Sequence, residues 1–595
     1  MARNILVAVA WPYSNSHIHV GNITGSYLPA DIFARFQRLL GNNVLMVSGS
    51  DAHGTPVAVR ADAEGVSPLE VYQKYHAAFL ELFQKLGLTY DLFTSTHTEN
   101  HFKVAQAIFL ALKKNGYLYT AREEQWYAPT QGRFLPDRYV EGTCYFCGYP
   151  NARGDQCDRC GNLLEATRLI NPRSKIDGSK PELRETEHFY LDFGKLQPAI
   201  VEFLRQRESY WRPNVLRQSL GQILAEGLHG RAITRDLDWG IPVPIEGWEG
   251  KCLYVWFEAV IGYLSATVEW AKLSGQTDIW HAWWYDQGAR TYYFIGKDNI
   301  PFHAVFWPGQ LIGAGEWFAR IFEGKDGPPL VLPYDVPANE FMNLEGEKIS
   351  GSRNWAVWGL DFLSRYDPDP LRYYLTANMP ESRDTDWDWS DFLNRNNNEL
   401  VATWGNLANR VLFFAYKHWE GCVPEPGDLR PGDREILATV ESGFESVGAQ
   451  LESIHLRAAL SEAMRLASEV NKYLDQAAPW FEVKEDKSSA AKTVYSALRA
   501  IDSLKIILAP FLPFSSERLH EYLGYSEPLF GEQQVSTVTD SLGEHRILRY
   551  KPQRASGRWE ASRLQPGQRL RQPAPLFRKL EETIIAEERA RLGRA

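Results

Sequence analysis

Four cysteines in two close pairs constrain the fold of this chain more than any other sequence feature. Cys144 and Cys147 form the first pair, Cys157 and Cys160 form the second, and nine residues separate the pairs. Such pairs supply four thiolates at the spacing that holds one tetrahedral Zn²⁺ ion. Two disulfides or a redox pair are the alternatives to a metal site. We predict one structural zinc ion per chain on these four ligands.

The remaining cysteines and the apolar runs bear on the cellular compartment. Cys252 and Cys422 stand alone, whereas a secreted disulfide protein spreads its cysteines more evenly. No run approaches the roughly 18 apolar residues of a membrane span. The apolar run at 5–11 is short and meets Pro12 without a small-residue cleavage site, so it resembles a buried strand more than a signal peptide. We expect a cytoplasmic protein without a membrane segment.

Charge limits how the chain can contact nucleic acid. Lys and Arg total 64 against 74 Asp and Glu, a formal net charge of −10. Nucleic-acid-binding domains are usually basic, so any RNA contact must come from local patches. The 595 residues, 44% of them hydrophobic, allow about three to five folded domains.

Strands and helices alternate in the first part of the chain. Apolar runs at 5–11 and 44–48 predict buried strands, and helical periods follow at 25–40 and 68–86. This spacing predicts a parallel, doubly wound sheet, which binds ligands at the carboxyl ends of its strands. The polar side chains expected at that edge are His17, His19, Asn22, Asp51 and His53.

The alternation stops between 118 and 250, where Pro, Gly and the cysteine pairs replace helical periods. This stretch is typical of a domain inserted into the sheet. The pattern resumes with a strand predicted at 252–257, a helix at 258–272 and a strand at 292–295. The predicted fold class is therefore α/β, a Rossmann-type doubly wound parallel sheet with an inserted zinc knuckle.

The chain becomes helical after about residue 395, and antiparallel helices with short connections predict a bundle. After 530 the sequence predicts irregular structure, then a charged helix near 575–592, which we expect to be solvated and to dock back on the catalytic domain. The helical windows of the bundle lie at 395–419, 433–449, 452–476 and 488–508.

Two short segments carry a resemblance to a known family. His19-Val20-Gly21-Asn22 resembles the HIGH signature, and Lys348-Ile349-Ser350-Gly351-Ser352 the KMSKS signature, of class I aminoacyl-tRNA synthetases. Their order and spacing make the pair specific, and the resemblance covers roughly residues 1–510. Further segments are similar to methionyl-tRNA synthetases in particular: 10–13 (AWPY), 50–56 (SDAHGTP), 235–240 (RDLDWG), 254–259 (YVWFEA) and 296–299 (GKDN).

The resemblance implies a domain order and a reaction. Methionine would react with ATP to form methionyl-adenylate and pyrophosphate, and tRNA would then accept the methionyl group. The implied domains are two halves of a Rossmann catalytic domain (1–117 and 251–335), an inserted connective domain with the zinc knuckle (118–250), a stem-contact region with the KMSKS-like loop (336–394), an α-helical anticodon-binding domain (395–530) and a tail (531–595).

By resemblance, both signatures and the turn after a later strand contact ATP and its Mg²⁺. His19 and Asn22 precede a helix, whose N-terminus favours phosphate, and Asp298 would accept from ribose hydroxyls. The implied ATP-binding residues are His19, Gly21, Asn22, Gly296, Asp298, Lys348, Ser350 and Ser352, and the implied catalytic residues are His19, Asn22, Lys348 and Arg353.

Three positions depart from the family pattern. Asn22 stands where the family usually has a second histidine, and Val260 where it has proline. Gly351 replaces the second lysine of the KMSKS signature, the one usually assigned to the transition state. Arg353 is our hypothesis for a substitute cation, since a guanidinium suits phosphate.

The resemblance also implies the amino-acid and anticodon sites. Asp51 would pair with the substrate ammonium, with Arg235 nearby to orient it, and aromatic walls suit a thioether. The implied methionine-binding residues are Ala10, Trp11, Tyr13, Asp51, Arg235, Trp256, Ala259, Tyr263, His303 and Trp307. The implied anticodon-binding residues are Asn406, Arg410, Pro479 and Trp480.

The implied partners are tRNA(Met), ATP and L-methionine, and we expect a monomer because no oligonucleotide-binding domain follows the bundle. One alternative is a class I synthetase for valine, isoleucine, leucine or cysteine. Against it, the insertion is short for an editing domain, and four cysteines already complete a zinc tetrahedron. The other alternative is a synthetase-like protein that binds tRNA or an adenylate without charging, which Asn22 and Gly351 keep open.

Overall fold

A seven-stranded sheet forms the centre of the molecule. The computed structural model describes residues 2–136, 139–154, 157, 159–160 and 164–593. Five strands are parallel, and an antiparallel hairpin extends one edge, so the order is β5-β4-β1-β2-β3-β7-β6. The strands are β1 (Asn4–Val9), β2 (Asn43–Ser50), β3 (Leu92–Ser95), β4 (Arg290–Gly296), β5 (Ala338–Asn339), β6 (Glu532–Asp540) and β7 (Gly543–Lys551).

Both faces of the sheet are buried, which is why its central strands are continuous apolar runs. In β1, Ile5, Val7 and Val9 point into one hydrophobic core. Leu6 and Ala8 point into the other. The first core is closed by the helices Leu28–Leu39 and Pro68–Leu86, the second by Glu99–Lys114 and Gly262–Leu273. The strands predicted at 5–11, 44–48 and 292–295 are thereby confirmed.

The helix predicted at 68–86 is present at Pro68–Leu86, and its ends show why. The Ser67 hydroxyl accepts from the backbone N–H of Glu70 at 3.2 Å, and the Glu70 carboxylate accepts from the N–H of Ser67 at 2.8 Å. This reciprocal cap satisfies N–H groups that a helix start leaves free. Gly87 ends the helix in the left-handed conformation, with φ 73°.

The strand predicted at 252–257 is wrong. Only Cys252–Leu253 is extended, and it pairs antiparallel with Thr234–Arg235 outside the central sheet. The chain is helical from Val255 to Glu258 and again from Gly262. A short apolar run has no period that separates a buried strand from the buried start of a helix.

The inserted region is built on a long antiparallel ribbon, in which Leu118–Ala128 pairs with Glu182–Leu191. Its far end carries a three-stranded sheet of Val140–Thr143, Ala152–Arg153 and Ile170–Ser174, next to the cysteine pairs. The remaining short strands are Arg133–Phe134, Arg231–Ala232, Met342–Leu344 and Thr385–Trp387.

The C-terminal half contains the predicted bundle. Leu456–Ala477 and Lys487–Leu508 match two of the predicted windows closely. The window at 433–449 is two helices, Pro431–Glu441 and Gly443–Glu452, which meet at Ser442. The other bundle helices are Trp389–Asn394, the π-helical Arg395–Gly405, Asn406–His418, Pro479–Glu485 and Pro513–Tyr522.

The segment after 530 corrects the prediction of irregular structure. β6 and β7 form a hairpin whose Leu548 pairs with Phe93 of β3, so the chain returns to the central sheet. The polar sequence of β6 concealed it, because an edge strand buries little surface. The predicted terminal helix is present but shorter, Thr583–Arg589, and it docks on Arg365, in the region 336–394 and outside the two expected Rossmann halves.

The remaining helices pack around these cores. None of the helices in the described part of the chain combines the length and apolarity needed to cross a bilayer. The further helices are Thr55–Glu64, Phe193–Arg205, Pro213–Leu216, Gln222–Glu226, Val255–Glu258, His281–Trp284, Trp307–Ala314, Trp317–Phe322, Gly359–Leu363 and Pro368–Ala377.

Candidate functional site

A cavity of about 480 Å³ opens at the carboxyl ends of β1, β2 and β4, where a doubly wound sheet binds its ligands. We call it the central cavity. It brings together residues far apart in sequence, from both signature-like segments and from the turns after three strands. The predicted residues that line it are Ala10, Trp11, Tyr13, His19, Gly21, Asn22, Asp51, Trp256, Ala259, Tyr263, Gly296, Asp298, His303 and Lys348.

Asp51 places a carboxylate in the wall of this cavity that accepts a backbone hydrogen bond from His53 on one side only. Its side chain is 3% exposed, and Oδ1 has no hydrogen-bond partner among the described residues. The backbone N–H of Asp51 donates to Pro12 at 2.8 Å and its carbonyl accepts from Ser14 at 2.9 Å, which locks the turns after β1 and β2 together. Burial, and then the negative charge of Glu258, raise the pKa of Asp51. A cationic ligand group would remove both penalties.

His303 and Tyr263 form a neutral wall opposite. His303 Nδ1 donates to the Asn299 carbonyl at 2.9 Å, so Nε2 accepts from the Tyr263 hydroxyl at 2.7 Å. Burial lowers the pKa of His303 to about 4, so its ring is uncharged near neutral pH. This wall therefore presents aromatic surface without a charge.

Tyr13 and Trp256 continue the aromatic surface. Their rings meet edge to face at 5.7 Å, and Trp256 stacks on Phe302 at 4.1 Å. Sulfur-aromatic contacts favour a thioether between such rings. Phe302 lines the cavity and was missed by sequence reasoning, although its place between Asn299 and His303 is a usable signal.

Trp11 occupies a slot that two glycines create. A Cβ on Gly49 would lie 2.2 Å from the indole, and one on Gly262 would lie 2.6 Å from it. Both distances are far below contact, so no larger residue fits at either position while Trp11 keeps this place. Sequence reasoning missed both glycines, because nothing in their local pattern points to a distant indole.

The first signature-like segment begins a helix at Val20. Asn22 caps this start, because its Oδ1 accepts from the backbone N–H of His19 at 3.2 Å. Burial lowers the pKa of His19 to about 4, and its Nδ1 has no partner among the described residues. The histidine therefore offers a neutral imidazole at a helix N-terminus, where phosphate is favoured.

The second signature-like segment forms a closed loop of residues 345–354, the Lys348 loop. Ser350 and Trp355 exchange two backbone hydrogen bonds of 2.9 Å, and Gly351–Arg353 makes one 3₁₀ turn between them. Lys348 lines the cavity. Arg353 is exposed outside it, with its guanidinium 3.5 Å from the Glu347 carboxylate.

Asp298 follows β4 and lines the cavity beside Gly296. Burial raises the pKa of Asp298. Its neighbour Lys297 donates to Glu340 at 2.8 Å and to Asp384 at 2.7 Å. The charge of this lysine is therefore already balanced by two carboxylates at the rim.

Some predicted residues lie elsewhere. The Arg235 guanidinium packs 4.0 Å from the centre of the Tyr254 ring and donates to the Thr234 carbonyl at 2.8 Å, and Arg235 is not among the lining residues. Trp307 is fully buried one layer behind the wall, and its Nε1 donates to Tyr293 at 2.9 Å. Ser350 is not among the lining residues, and the side chain of Ser352 lies outside those described.

The predicted anticodon residues gather on the bundle. The Arg410 guanidinium lies 4.9 Å from the Trp480 ring and bonds to Asp475 and Asn471 at 3.0 and 3.1 Å. Pro479, Trp480 and Arg410 line one small groove. Asn406 is exposed one turn earlier on the helix of Arg410. An aromatic ring beside hydrogen-bonding side chains suits single-stranded bases.

The four clustered cysteines converge as predicted. Their sulfur atoms all lie within 4.8 Å of one another, with 3.9 Å between Cys144 and Cys160 and 3.6 Å between Cys147 and Cys157. Four ligands about 2.3 Å from one ion stand about 3.8 Å apart, so this donor set fits a tetrahedral metal. The thiols are free, which argues against the disulfide alternative.

This chain is similar to known proteins along its whole length. Residues 5–412 match the family described as tRNA synthetases class I (M), and residues 423–552 match the anticodon binding domain of methionyl tRNA ligase. A methionine–tRNA ligase of Thermomicrobium roseum is 54% identical, covering 100% of this chain and 99% of the relative. One from Thermobifida fusca is 48% identical with the same coverage.

A solved structure has a similar fold. Methionyl-tRNA synthetase of Mycobacterium tuberculosis, bound by methionyl-adenylate, superposes with a TM-score of 0.74 at 22% identity. The match covers 97% of this chain and 100% of that one. The likeness extends over the sheet, the inserted region and the bundle.

Proposed function

This chain belongs to the class I tRNA synthetases of the methionine type, and from that premise we propose that it ligates methionine to tRNA(Met) through methionyl-adenylate. It is an enzyme of the aminoacyl-tRNA synthetase class. One observation carries the proposal: the central cavity combines a buried carboxylate with one unsatisfied oxygen, a neutral aromatic wall and the residues of both signatures.

The amino acid enters with its ammonium against Asp51. Pairing with a cation relieves the raised pKa of this carboxyl and lets it ionise in its buried position. The thioether then lies among Tyr13, Trp256 and the Tyr263–His303 pair. Because His303 is neutral and its hydrogen bonds are satisfied, an apolar side chain meets no unpaired charge there.

ATP occupies the side of the cavity that carries His19, Asn22, Asp298 and Lys348. The methionine carboxylate attacks the α-phosphate, pyrophosphate leaves with Mg²⁺, and the terminal ribose hydroxyl of tRNA then attacks the carbonyl and releases AMP. No step needs a covalent bond to the enzyme, so catalysis consists of positioning and of stabilising phosphate charge. Lys348 supplies a cation, and the neutral His19 ring and the Asn22 amide supply hydrogen bonds.

The remaining regions position the tRNA. We assign residues 336–394 to contact with the acceptor stem and 395–530 to the anticodon, with Trp480 as a stacking platform for a base. We further propose that the protein acts as a monomer in the cytoplasm, where tRNA and methionine are available.

The four cysteines would hold one Zn²⁺ that stabilises the inserted region. Because four thiolates complete its tetrahedron, the ion keeps no open position for a substrate. Its contribution is to fold the knuckle.

Amino-acid-dependent exchange of pyrophosphate into ATP tests the proposal. We expect exchange with methionine and none with leucine or cysteine, followed by methionylation of a tRNA(Met) transcript. Exchange with another amino acid would indicate a different class I specificity. Tight tRNA binding without any exchange would indicate a protein that does not charge.

The zinc assignment has its own experiment. Purified protein is expected to contain one zinc per chain, Cys144→Ser to lose it, and Cys422→Ser to keep it as the matched control. Mass spectrometry that finds disulfides among the four cysteines, or protein folded without metal, would contradict the assignment.

A further inference from the structure

The last part of the chain runs from the bundle to the Lys348 loop. Residues 564–593, the tail segment, begin beside the loop that follows the helix of Arg410. There the N–H of Leu570 donates to Gly421 at 2.7 Å, and the N–H of Val423 donates to Gln568 at 2.9 Å. The segment then crosses the π-helical start of the bundle, where Leu580 and Asn397 exchange two hydrogen bonds of 2.9 Å.

The helix Thr583–Arg589 ends this path and is firmly docked. Glu588 is 3% exposed and accepts from Arg365 at 2.8 and 2.9 Å and from Tyr366 at 2.9 Å. A buried carboxylate with three donors fixes the position of the helix against the residues around 365. The next side chain, Arg589, is thereby held facing the Lys348 loop.

The tail segment touches both ends of that loop. At the near end, the Arg589 guanidinium bonds to the Glu345 carboxylate at 3.0 Å. It also bonds to Asp388 at 3.2 Å. At the far end, the N–H of Gly593 donates to the Asn354 carbonyl at 3.1 Å.

Both braced positions have unusual backbone. Glu345 has φ 49° and Asn354 has φ 50°, in the left-handed region that asparagine tolerates but glutamate seldom adopts. A glutamate in this conformation persists where its surroundings hold it. Arg589 and Gly593 supply part of that hold, on either side of Lys348.

We propose that Arg589 is a positioning residue for adenylate formation, which braces the Lys348 loop so that Lys348 faces the nucleotide. This inference rests on the proposed function. The brace matters in this chain because Gly351 leaves Lys348 as the only lysine of the signature. A cation in the cavity acts only if it is held near the phosphates, since small misplacements cost much of the rate.

Arg589→Ala tests the brace by steady-state pyrophosphate exchange. We expect kcat/KM for ATP to fall about tenfold, within the range that misplacement produces, while KM for methionine stays unchanged. Arg589→Lys, which keeps the charge, is expected to recover part of the loss. Arg591→Ala is the matched control, because Arg591 lies on the same surface and makes only a 3.8 Å contact to Glu588.

A second measurement does not depend on activity. Trypsin cleaves after Lys348 and Arg353, and we expect Arg589→Ala to speed cleavage there while Arg591→Ala matches wild type. A double-mutant cycle with Glu345→Gln should show that the two changes are not additive.

Equal exchange kinetics and equal cleavage in the Arg589→Ala and Arg591→Ala variants would overturn the brace. An increase in KM for methionine that accompanies the fall in kcat/KM for ATP would also overturn it, since that would indicate general destabilisation. Absence of exchange in the wild-type protein would instead refute the proposed function, and the cleavage comparison would still decide the brace.

Discussion

The two ends of the central cavity are built differently. At the amino-acid end, Asp51 in the turn after β2 and Tyr263 and His303 on helices are buried and fixed by backbone or side-chain hydrogen bonds. At the phosphate end, Lys348 stands on a loop, and Arg353 is exposed with two long contacts of 3.5 Å, to the Glu347 carboxylate and to the Lys348 carbonyl. The amino-acid end is therefore a rigid surface, and we call it the finished end. The phosphate end includes the Lys348 loop, which contacts from outside the cavity hold in place, and we call it the held end.

This difference matches two physical tasks. Discrimination of an amino-acid side chain needs a rigid pocket. One methylene changes the binding free energy in a hydrophobic pocket by only about 1–3 kcal/mol. Phosphate chemistry needs charge that approaches during the reaction, and loops that close on substrate provide it. Two of the three departures from the family pattern, Asn22 and Gly351, lie at the phosphate end, while Val260 lies on the wall.

Asp51→Asn should have the largest effect, and this effect should be confined to the amino-acid end of the cavity. Because the ammonium would lose its buried ionic partner, kcat/KM for methionine should fall about 10²–10³-fold, from the several kcal/mol that such a loss costs. ATP binding, measured by equilibrium dialysis, should not change.

The same substitution should not lower stability. Burial raises the pKa of Asp51 in the folded state, so ionising it at neutral pH costs stability, and a neutral amide removes that cost. The melting temperature at pH 7.5 is therefore expected to stay level or rise. A large decrease in the melting temperature would show that Asp51 stabilises the fold. It would contradict our description of the amino-acid end.

Arg353→Ala probes the held end with the next largest effect. If Arg353 reaches the pyrophosphate when the loop closes, its removal should lower kcat for exchange about tenfold, less than the roughly 10²–10³-fold that loss of a buried, preorganised group costs, because Arg353 is exposed. Methionine binding should be unaffected. Arg383→Ala serves as the control for the loss of a surface cation, and identical kcat values for the two variants would remove Arg353 from the reaction.

Gly351→Lys should sharpen the comparison by restoring the missing lysine. Gly351 is outside the left-handed region, and its Cβ would meet only the tip of Trp358 at 3.2 Å, so the side chain can be added with a small shift of the indole. We expect kcat for exchange to rise by about two- to fivefold, a modest gain for an exposed cation in water. The same change should rescue Arg353→Ala. A decrease in kcat would mean that the loop needs glycine for its closure.

The sequence predicted the finished end well and the held end poorly, for a physical reason. His19, Asp51 and His303 sit at fixed offsets from strands and helices, so their local pattern determines where they lie. Arg235 and Trp307 are not among the residues that line the cavity; Arg235 lies on a two-residue strand pairing, and Trp307 bonds to Tyr293 in the core behind it.

The contact between Arg589 and the Lys348 loop could not be predicted from the sequence. Arg589 meets Glu345 across 244 residues, and nothing local to either residue encodes the pairing. The edge hairpin was missed because its buried surface appears only after the sheet exists. Contacts across such separations depend on the assembled fold, so the local sequence around either residue does not reveal them.

His303→Gln gives the smallest effect and tests whether the finished wall is neutral. The folded-state pKa of His303 is lowered to about 4 from an unfolded value near 6.5, so the unfolded state takes up a proton first. Stability contributed by the neutral ring is complete above about pH 6.5 and is lost as pH falls toward 4. Glutamine does not titrate and keeps an acceptor for Tyr263, so the variant should lose about 1–2 °C less than wild type between pH 7.5 and 5. Other buried histidines act equally in both proteins, and equal losses in the two would mean that His303 is charged in the folded wall.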